Sequence, residues 1–256
     1  MKEPLIDIIK SASLIFKEGY FSTKNVDFKA KKDMVTQYDV AVENYLKAKL
    51  SLAFPTFNII AEESNNEQSV FGDSIIIDPI DGTTNFVNGV PHCAISVGVY
   101  KDQQPFMGVV YNPILEELFF AQVECGAFLN EEPIHVSQES NFQKALLATG
   151  FPYSGATNQD DLNIVINNLH KILPACQDIR RFGSAALDLC YVAKGMFEGY
   201  YEINLQAWDV SAGVIILKEA GGKVSNQHGE KHHIFNDKYM LASNGLIHQK
   251  LVDMVE

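Results

Sequence analysis

The chain has 256 residues, of which 46% are hydrophobic, and its 32 acidic and 20 basic side chains give a formal net charge of −12. This apolar content is sufficient for one large core, or for two subdomains that share one, and an acidic chain without a basic stripe is unlike a nucleic-acid-binding protein. No apolar run approaches the ~20 residues that span a bilayer and the opening segment lacks a signal-peptide core, which predicts a cytoplasmic protein without a membrane partner.

The first quarter of the chain predicts two helices. Apolar residues recur at helical spacing from residue 4 to about residue 17, and Pro4 suits the first turn. A second helix is predicted to open at Asp39, as its N-cap, and to stop at Pro55.

Short apolar and alternating runs in the middle of the chain predict strands that continue as an antiparallel meander. The predicted strands are residues 58–61, 74–77, 94–100, 106–111, 118–122 and 126–129.

After about residue 140, helices and strands interleave. We predict a helix over residues 161–172, a strand over 179–182, a helix that Ser184 caps and Gly195 ends, a strand over 197–202, and a helix over 210–220 capped by Asp209. The change of pattern predicts one compact unit of two subdomains, residues 1–135 and 136–256, with mixed helices and sheet.

Cysteine and histidine patterns do not indicate a soft metal site. The four cysteines lie apart without a C-x-x-C pair, and no H-E-x-x-H motif is present. A cluster of His228, His232 and His233 lies in a Gly/Asn-flanked loop, where we expect it to be solvated.

The segment over residues 74–86 carries the strongest chemical signal. An apolar strand is predicted to run into a turn with two acids, Asp78 and Asp81, three positions apart. A D-x-x-D-G sequence can be a simple turn, but like charges ~4 Å apart at an effective dielectric of ~20 repel by about 4 kcal/mol. Proton sharing or a cation offsets such repulsion. Carboxylates and the Ile80 carbonyl suit Mg²⁺, and the amides from Gly82 to Thr84 suit a phosphate.

Several segments, in order, resemble the motifs of the inositol monophosphatase family. Residues 78–86, D-P-I-D-G-T-T-N-F, resemble the family signature, and A-E-E-S at 61–64 resembles G-E-E-S, whose first glutamate is a metal ligand. D-M-V-T-Q-Y-D at 33–39 resembles D-L-V-T-x-x-D, and W-D-V-S-A-G at 208–213 resembles W-D-V-A-A-G, which supplies another metal-binding aspartate. Residues 183–186 and 199–202 resemble substrate-contacting segments. The resemblance covers nearly the whole chain.

The resemblance implies a layered α-β-α-β-α sugar-phosphatase-type fold, of mixed α/β class, with an antiparallel-rich N-terminal sheet and a mixed C-terminal sheet. It implies two or three Mg²⁺ ions, held by Glu62, Asp78, Asp81, Asp209 and the Ile80 carbonyl. It implies that Thr83, paired with Asp39 and helped by Glu62, orients and deprotonates the attacking water. The implied substrate contacts are Asp81, Gly82, Thr83, Ala185, Glu202 and Asp209.

The substrate is left open among several phosphate esters. Inositol monophosphate or a related monophosphate comes first and fructose-1,6-bisphosphate second, with histidinol phosphate a further candidate. The 3′-nucleotidase branch resembles L-D-G-T-K-E-F at the turn, which this chain lacks, and the D-x-D-x-T of haloacid-dehalogenase-type phosphatases is absent too. Asn204, Gln206 and Ala207 depart from the family pattern in its substrate pocket.

Beyond catalysis, the resemblance implies a homodimer and lithium sensitivity. Some bacterial relatives also contact the transcription machinery, so a binding role is a hypothesis of a different class. We expect such a role to be an addition to catalysis, because the ligand set is intact.

Overall fold

A computed structural model describes residues 1–30, 33–64, 72–152 and 158–255 of the chain. Its helices are α1 (Lys2–Phe21), α2 (Gln37–Ala53), α3 (Thr83–Asn88), α4 (Gln159–Ile172), α5 (Ala185–Ala193), α6 (Ala207–Glu219) and α7 (His248–Val252), with a 3₁₀ turn at Phe142–Lys144.

The first large sheet has seven strands in the order β3-β4-β5-β6-β7-β8-β9. They are β3 (Asn58–Ala61), β4 (Ser74–Asp81), β5 (Ala94–Lys101), β6 (Gln104–Asn112), β7 (Glu117–Gln122), β8 (Gly126–Leu129) and β9 (Glu132–Ile134). Only β3 and β4 pair in parallel, which confirms the antiparallel-rich N-terminal sheet. A separate hairpin joins β1 (Val26–Ala30) to β2 (Asp33–Thr36).

The second large sheet has five strands in the order β11-β10-β12-β14-β13. They are β10 (Leu146–Thr149), β11 (Asp178–Arg180), β12 (Gly199–Ile203), β13 (Lys223–Ser225) and β14 (Tyr239–Ser243). Strand β10 pairs in parallel with β11 and β12, whereas β14 pairs antiparallel with β12 and β13, which confirms the mixed sheet. The division of the chain at residue 135 stays a prediction.

Three apolar clusters fill the spaces between the layers. The first lies between α1, α2 and the seven-stranded sheet, the second surrounds α5 and α6 between the two large sheets, and the third lies between the five-stranded sheet, α4 and α7. Helix, sheet, helix, sheet and helix therefore alternate, as the resemblance implies.

Helix α6 lies directly on the backbone of the seven-stranded sheet. A Cβ atom at Gly98 in β5 would lie 2.6 Å from the Ser211 Oγ, and one at Gly108 in β6 would lie 2.5 Å from the Ala212 carbonyl oxygen. Contacts this close leave no room for a side chain. The absence of side chains at the two glycines thus sets the distance between α6 and the sheet. It thereby also sets the position of the first turn of α6, which contains Asp209.

Some predicted boundaries are wrong by a few residues. The strand predicted over 74–77 continues through Asp81, with a register irregularity between Asp78 and Asp81 in place of a turn. The strands predicted over 179–182 and 197–202 are Asp178–Arg180 and Gly199–Ile203, and the first helix extends beyond its predicted ends, from Lys2 to Phe21. Strand ends depend on pairing with neighbours, which a local pattern does not contain.

Both predicted aspartate N-caps are also wrong. Thr36 and Gln206 are the N-caps, and Asp39 and Asp209 occupy the third helical position, where each carboxylate accepts a hydrogen bond from the backbone N–H of the cap. This is the reciprocal arrangement of a capping box.

The histidine loop is only partly solvated. His228 and His233 are exposed, but the Nδ1 of His232 is enclosed without a hydrogen-bond partner in the described part of the chain, and burial lowers the pKa of His232 to about 4.

Among the described residues, no helix has both the length and the apolar character required to cross a membrane.

Candidate active site

Three aspartates meet where β4 ends against the start of α6. Asp78 and Asp81 come from the last residues of β4, and Asp209 comes from the first turn of α6. One carboxylate oxygen from each lies within 4.8 Å of those of the other two, and Asp78 and Asp81 are only 2% and 7% exposed. The fold therefore brings together acids that are 128 positions apart in the chain.

The charges of these acids oppose one another. Burial, followed by the charges of Glu62, Asp81 and Asp209, raises the pKa of Asp78 well above its ordinary value. Burial and the charge of Asp81 do the same for Asp209, and burial raises the pKa of Asp81 to about 6. Without a cation, the cluster can hold its full negative charge only at a high electrostatic cost.

Glu62 extends the cluster from the end of β3. Its carboxyl group hydrogen bonds to that of Asp78, and burial raises its pKa although Lys29 lies close by. The Lys29 Nζ is 2.7 Å from Glu62 Oε1 and 2.7 Å from Glu63 Oε1. This lysine partly neutralises the glutamates.

The donor set fits a hard divalent cation. The converging ligand atoms are carboxylate oxygens, the type that Mg²⁺ prefers. In the described ranges of the chain, no ion pair with a lysine, arginine or histidine reaches Asp78, Asp81 or Asp209. The two buried aspartates and the half-buried Asp209 thus have the composition, spacing and uncompensated charge of a metal site.

The backbone between the acids is tightly folded. The Ile80 N–H donates to Asp78 Oδ1 over 3.0 Å, and the buried Ile80 carbonyl accepts from Thr83 Oγ1 over 3.1 Å. Gly82 has a φ of 88°, and a Cβ there would lie 3.0 Å from the carbonyl oxygens of both His92 and Gly183. Only glycine adopts this conformation easily and fits this space.

Thr83 and Asp39 form a hydrogen-bonded pair, as the resemblance implies. Thr83 Oγ1 lies 3.1 Å from Asp39 Oδ1, and Asp39 Oδ2 accepts from the backbone N–H and the hydroxyl of Thr36 at 2.8 and 2.5 Å. Burial raises the pKa of Asp39, while these hydrogen bonds favour its ionised form. The capping box of α2 therefore holds the Asp39 carboxylate in place beside Thr83.

Helix α5 holds Asp81 through its N-terminus. Asp81 Oδ2 accepts from Ser184 Oγ at 2.5 Å and from the Ala186 N–H at 2.8 Å. Ala185 lies between these two donors and is buried. The sequence predicts Ser184 as a helix cap; its hydroxyl also donates to Asp81, a contact that only the tertiary structure shows.

Glu202 lies on β12, facing the site from the second sheet. Its Oε2 accepts a hydrogen bond of 2.5 Å from the Tyr200 hydroxyl, and its carboxyl group lies against Gly150, where even a Cβ would overlap it. Burial raises the pKa of Glu202 to about 7, and the charges of Asp188 and Asp81 act in the same direction.

Two further buried polar residues, His92 and Asp188, lie behind the site. His92 Nε2 is 3.3 Å from Asp188 Oδ1, and the two residues are 7% and 1% exposed. The sequence predicts neither as a site residue, because His92 lies in a loop before a predicted strand and Asp188 lies in a predicted helix rich in apolar residues.

Known relatives cover almost all of the chain. Inositol monophosphatase 3 of Solanum lycopersicum is 40% identical over 233 residues, which are 88% of this chain and 85% of the relative. Nus factor SuhB of Pasteurella multocida is 35% identical, with 96% and 92% covered, and fructose-1,6-bisphosphatase/inositol-1-monophosphatase of Aquifex aeolicus is 33% identical, with 98% and 95% covered.

Solved structures show the same fold. The extragenic suppressor protein suhB of Bartonella henselae superimposes with a TM-score of 0.91 at 34% identity, covering 99% of this chain and 97% of that one. The sequence model of the inositol monophosphatase family matches residues 1–256. The chain therefore belongs to the inositol monophosphatase family, whose members are metal-dependent phosphoric monoester hydrolases.

Proposed function

We propose that the chain hydrolyses inositol monophosphate with Mg²⁺ as its cofactor. The observation that carries this proposal is the convergence of three carboxylate oxygens, from Asp78, Asp81 and Asp209, within 4.8 Å of one another. The hydroxyl–carboxylate pair of Thr83 and Asp39 lies beside them.

Five groups would hold two or three Mg²⁺ ions: the carboxylates of Glu62, Asp78, Asp81 and Asp209, and the carbonyl of Ile80. Bound magnesium supplies Lewis-acid activation of water and charge stabilisation at the leaving oxygen. It also offsets the repulsion among the acids, which otherwise disfavours an anionic substrate. In this role Glu62 would exchange its hydrogen bond with Asp78 for a metal bond.

Thr83 and Asp39 would orient the attacking water. Thr83 Oγ1 lies 3.1 Å from both Asp39 Oδ1 and the Ile80 carbonyl oxygen, and its single proton can go to only one of them. If the Ile80 carbonyl is a metal ligand, the proton would go to Asp39, and a lone pair of the Thr83 oxygen would accept the hydrogen bond of the attacking water. Asp39, held by Thr36, would then stabilise the developing charge, with Glu62 as a second acceptor. This is general-base assistance through a positioned hydroxyl.

The phosphate and the polyol would contact different groups around the metal site. The backbone amides of Gly82 and Thr83, at the first turn of α3, would hold phosphate oxygens. Ala185 and Asp81 at the start of α5, together with Glu202 and Asp209, would contact the polyol. Glu202 suits this role because it comes from the second sheet and has no side-chain contact with Asp78 or Asp81 among the described hydrogen bonds.

A phosphate-release assay with a panel of esters tests the proposal. We expect Mg²⁺-dependent turnover, with inositol monophosphate hydrolysed faster than fructose-1,6-bisphosphate, histidinol phosphate and 3′-nucleotides. Excess Ca²⁺ should inhibit because it prefers more ligands and a looser geometry, and Li⁺ should inhibit as the resemblance implies. Undiminished turnover after exhaustive chelation would contradict the metal assignment.

Two alternatives have support from the names of relatives. The Aquifex aeolicus protein is named as both a fructose-1,6-bisphosphatase and an inositol-1-monophosphatase, so the bisphosphate is the second candidate substrate. The Pasteurella multocida protein is named as a Nus factor, which supports contact with the transcription machinery as an added role. A chain that only bound such a partner would release no phosphate from any ester. The proposal also includes a cytoplasmic location and a homodimer.

Replacing Glu202 with alanine should change substrate preference more than chemistry. The change removes a proposed polyol contact and leaves the metal ligands in place. We expect KM for inositol monophosphate to rise and the ranking of esters to change, while hydrolysis of p-nitrophenyl phosphate stays within about threefold of wild type. Tyr200→Phe is the matched control, since it removes the hydroxyl that donates to Glu202 and keeps the carboxylate. Equal loss of activity on every ester would place Glu202 in the catalytic centre or the fold.

A further inference from the structure

Behind Asp81 and Gly82 lies a buried pair of polar groups that the proposed chemistry does not use. His92 precedes β5, and Asp188 lies in the first half of α5. His92 Nε2 and Asp188 Oδ1 lie 3.3 Å apart, and each atom is enclosed and has no hydrogen-bond partner among the described residues. Buried polar atoms rarely stay unpaired, so this contact is where both must be satisfied.

One proton between the two groups satisfies both atoms. Burial lowers the pKa of His92 to about 4 and raises the pKa of Asp188 well above its ordinary value, so burial favours the uncharged form of both groups. The carboxylic O–H of Asp188 then donates to the His92 Nε2. The other ring nitrogen hydrogen bonds to the backbone of Ser184, which places its proton on Nδ1.

The His92 ring is fixed on its other sides as well. The rings of Phe182 and Tyr191 lie 4.9 and 5.3 Å from it, measured between centroids. Together with Asp188 and Ser184, these rings restrict the orientation of the imidazole, and the tautomer that suits this arrangement has its proton on Nδ1.

Two routes lead from this ring to the metal and phosphate groups. Through Ser184, it fixes the residue whose hydroxyl donates to Asp81 Oδ2 at 2.5 Å. Through its own backbone, the His92 carbonyl accepts from Asn85 Nδ2 at 2.7 Å and lies against Gly82, whose Cβ would be 3.0 Å away. Groups that orient metal ligands in this way commonly change metal affinity when removed.

We propose that Asp188, acting through His92, is a positioning residue that holds Asp81 and Gly82 in the geometry required for binding Mg²⁺. The inference rests on the proposed function only in taking Asp81 as a magnesium ligand. In this proposal, His92 and Asp188 act only through Ser184, Asp81 and Gly82, and neither is a ligand of the cation or the substrate.

Calorimetric titration of Mg²⁺ into the full chain, without substrate, tests the proposal. Asp188→Leu leaves Nε2 unpaired, and we expect the Kd for Mg²⁺ to rise about tenfold or more. Asp188→Asn keeps the shape and an N–H donor for Nε2, so its Kd should stay within about threefold of wild type. Asp160→Asn, at an exposed position in the first turn of α4, controls for the general effect of removing one negative charge from the chain and should leave the Kd unchanged.

Nitrogen NMR of the histidine rings gives a second readout that needs neither metal nor turnover. We expect His92 to be neutral at pH 7 with its proton on Nδ1, and Asp188→Leu should shift the Nε2 resonance. His248, which lies 2.8 Å from Ser243 Oγ and Ser225 Oγ, should not move and serves as an internal reference.

The outcomes separate this proposal from the proposed function. A folded Asp188→Leu variant that binds Mg²⁺ like wild type, or a wild-type His92 with its proton on Nε2, would overturn the positioning role. If Asp188→Leu does not fold, the tautomer of His92 in the wild-type chain still decides. A chain that binds Mg²⁺ as expected but releases no phosphate would contradict the proposed function and leave the positioning role standing.

Discussion

Asp209→Asn should lose turnover by about 10²–10³, the scale on which removal of one charge-stabilising group acts, while the fold survives. The amide oxygen of asparagine can still accept the 2.7 Å hydrogen bond from the Gln206 N–H, so the capping box of α6 is kept. The substitution removes the negative charge of residue 209, which repels Asp78 and Asp81 and would attract the proposed cation. Since that charge repels its neighbours when no cation is bound, we expect metal-free Asp209→Asn to unfold at the same temperature as wild type or higher.

Three measurements together test this prediction: kcat, the Kd for Mg²⁺, and thermal unfolding with and without Mg²⁺. Asp209→Ala should lose turnover equally and should also cost about 1 kcal/mol of stability, from the lost hydrogen bond to Gln206. Asp160→Asn removes an exposed first-turn acid of α4 and should leave all three quantities unchanged. An Asp209→Asn enzyme with more than about a tenth of wild-type kcat, against the usual loss, would reduce Asp209 to a capping-box residue.

Thr83→Ala should reduce kcat by roughly 10²–10⁴, the usual contribution of a positioned proton-transfer group, with little change in KM. The substitution removes the hydroxyl that donates to Asp39 and keeps the backbone amide proposed to bind phosphate. The substitution should therefore affect kcat, which depends on the hydroxyl, without affecting phosphate binding by the backbone amide.

Steady-state kinetics on inositol monophosphate at saturating Mg²⁺ checks this prediction. Thr83→Ser retains the hydroxyl and should recover much of kcat. Thr84→Ala, at the next position in α3, removes a hydroxyl that is not paired with Asp39 and should behave like wild type. A Thr83→Ala enzyme whose KM rises while kcat holds would assign Thr83 to substrate binding instead of water activation.

Much of the fold was predictable because its signals are local. Alternation and turn residues predict the meander from β5 to β8, and residues 58–61 and 126–129 match β3 and β8 in full. The acids of β4 are likewise visible because Asp78 and Asp81 are close in sequence. Asp209 lies 128 positions beyond Asp81, and only the family resemblance links the two.

What the sequence did not predict depends on contacts between distant elements. An aspartate at the third position of a helix and an aspartate at its N-cap give similar local patterns. The sequence therefore predicts Asp39 and Asp209 as N-caps, whereas the helices begin about one turn earlier. Ser184 can donate to Asp81 only because the N-terminus of α5 lies against the end of β4. The pairing of His92 with Asp188 arises in the same way, from packing across the middle layer.

The close seating of α6 on Gly98 and Gly108 has a consequence for how mutations damage this enzyme. An added methyl group at either glycine must lift the helix, because the Ser211 and Ala212 atoms that it meets belong to the helix itself. Asp209 lies in the first turn of that helix, so a displacement of the helix away from the sheet increases the distance between Asp209 and the acids of β4. Alanine substitutions at these two glycines are chemically small changes in the core. We nevertheless expect these variants to bind magnesium more weakly and to regain part of their rate when the metal is supplied in excess.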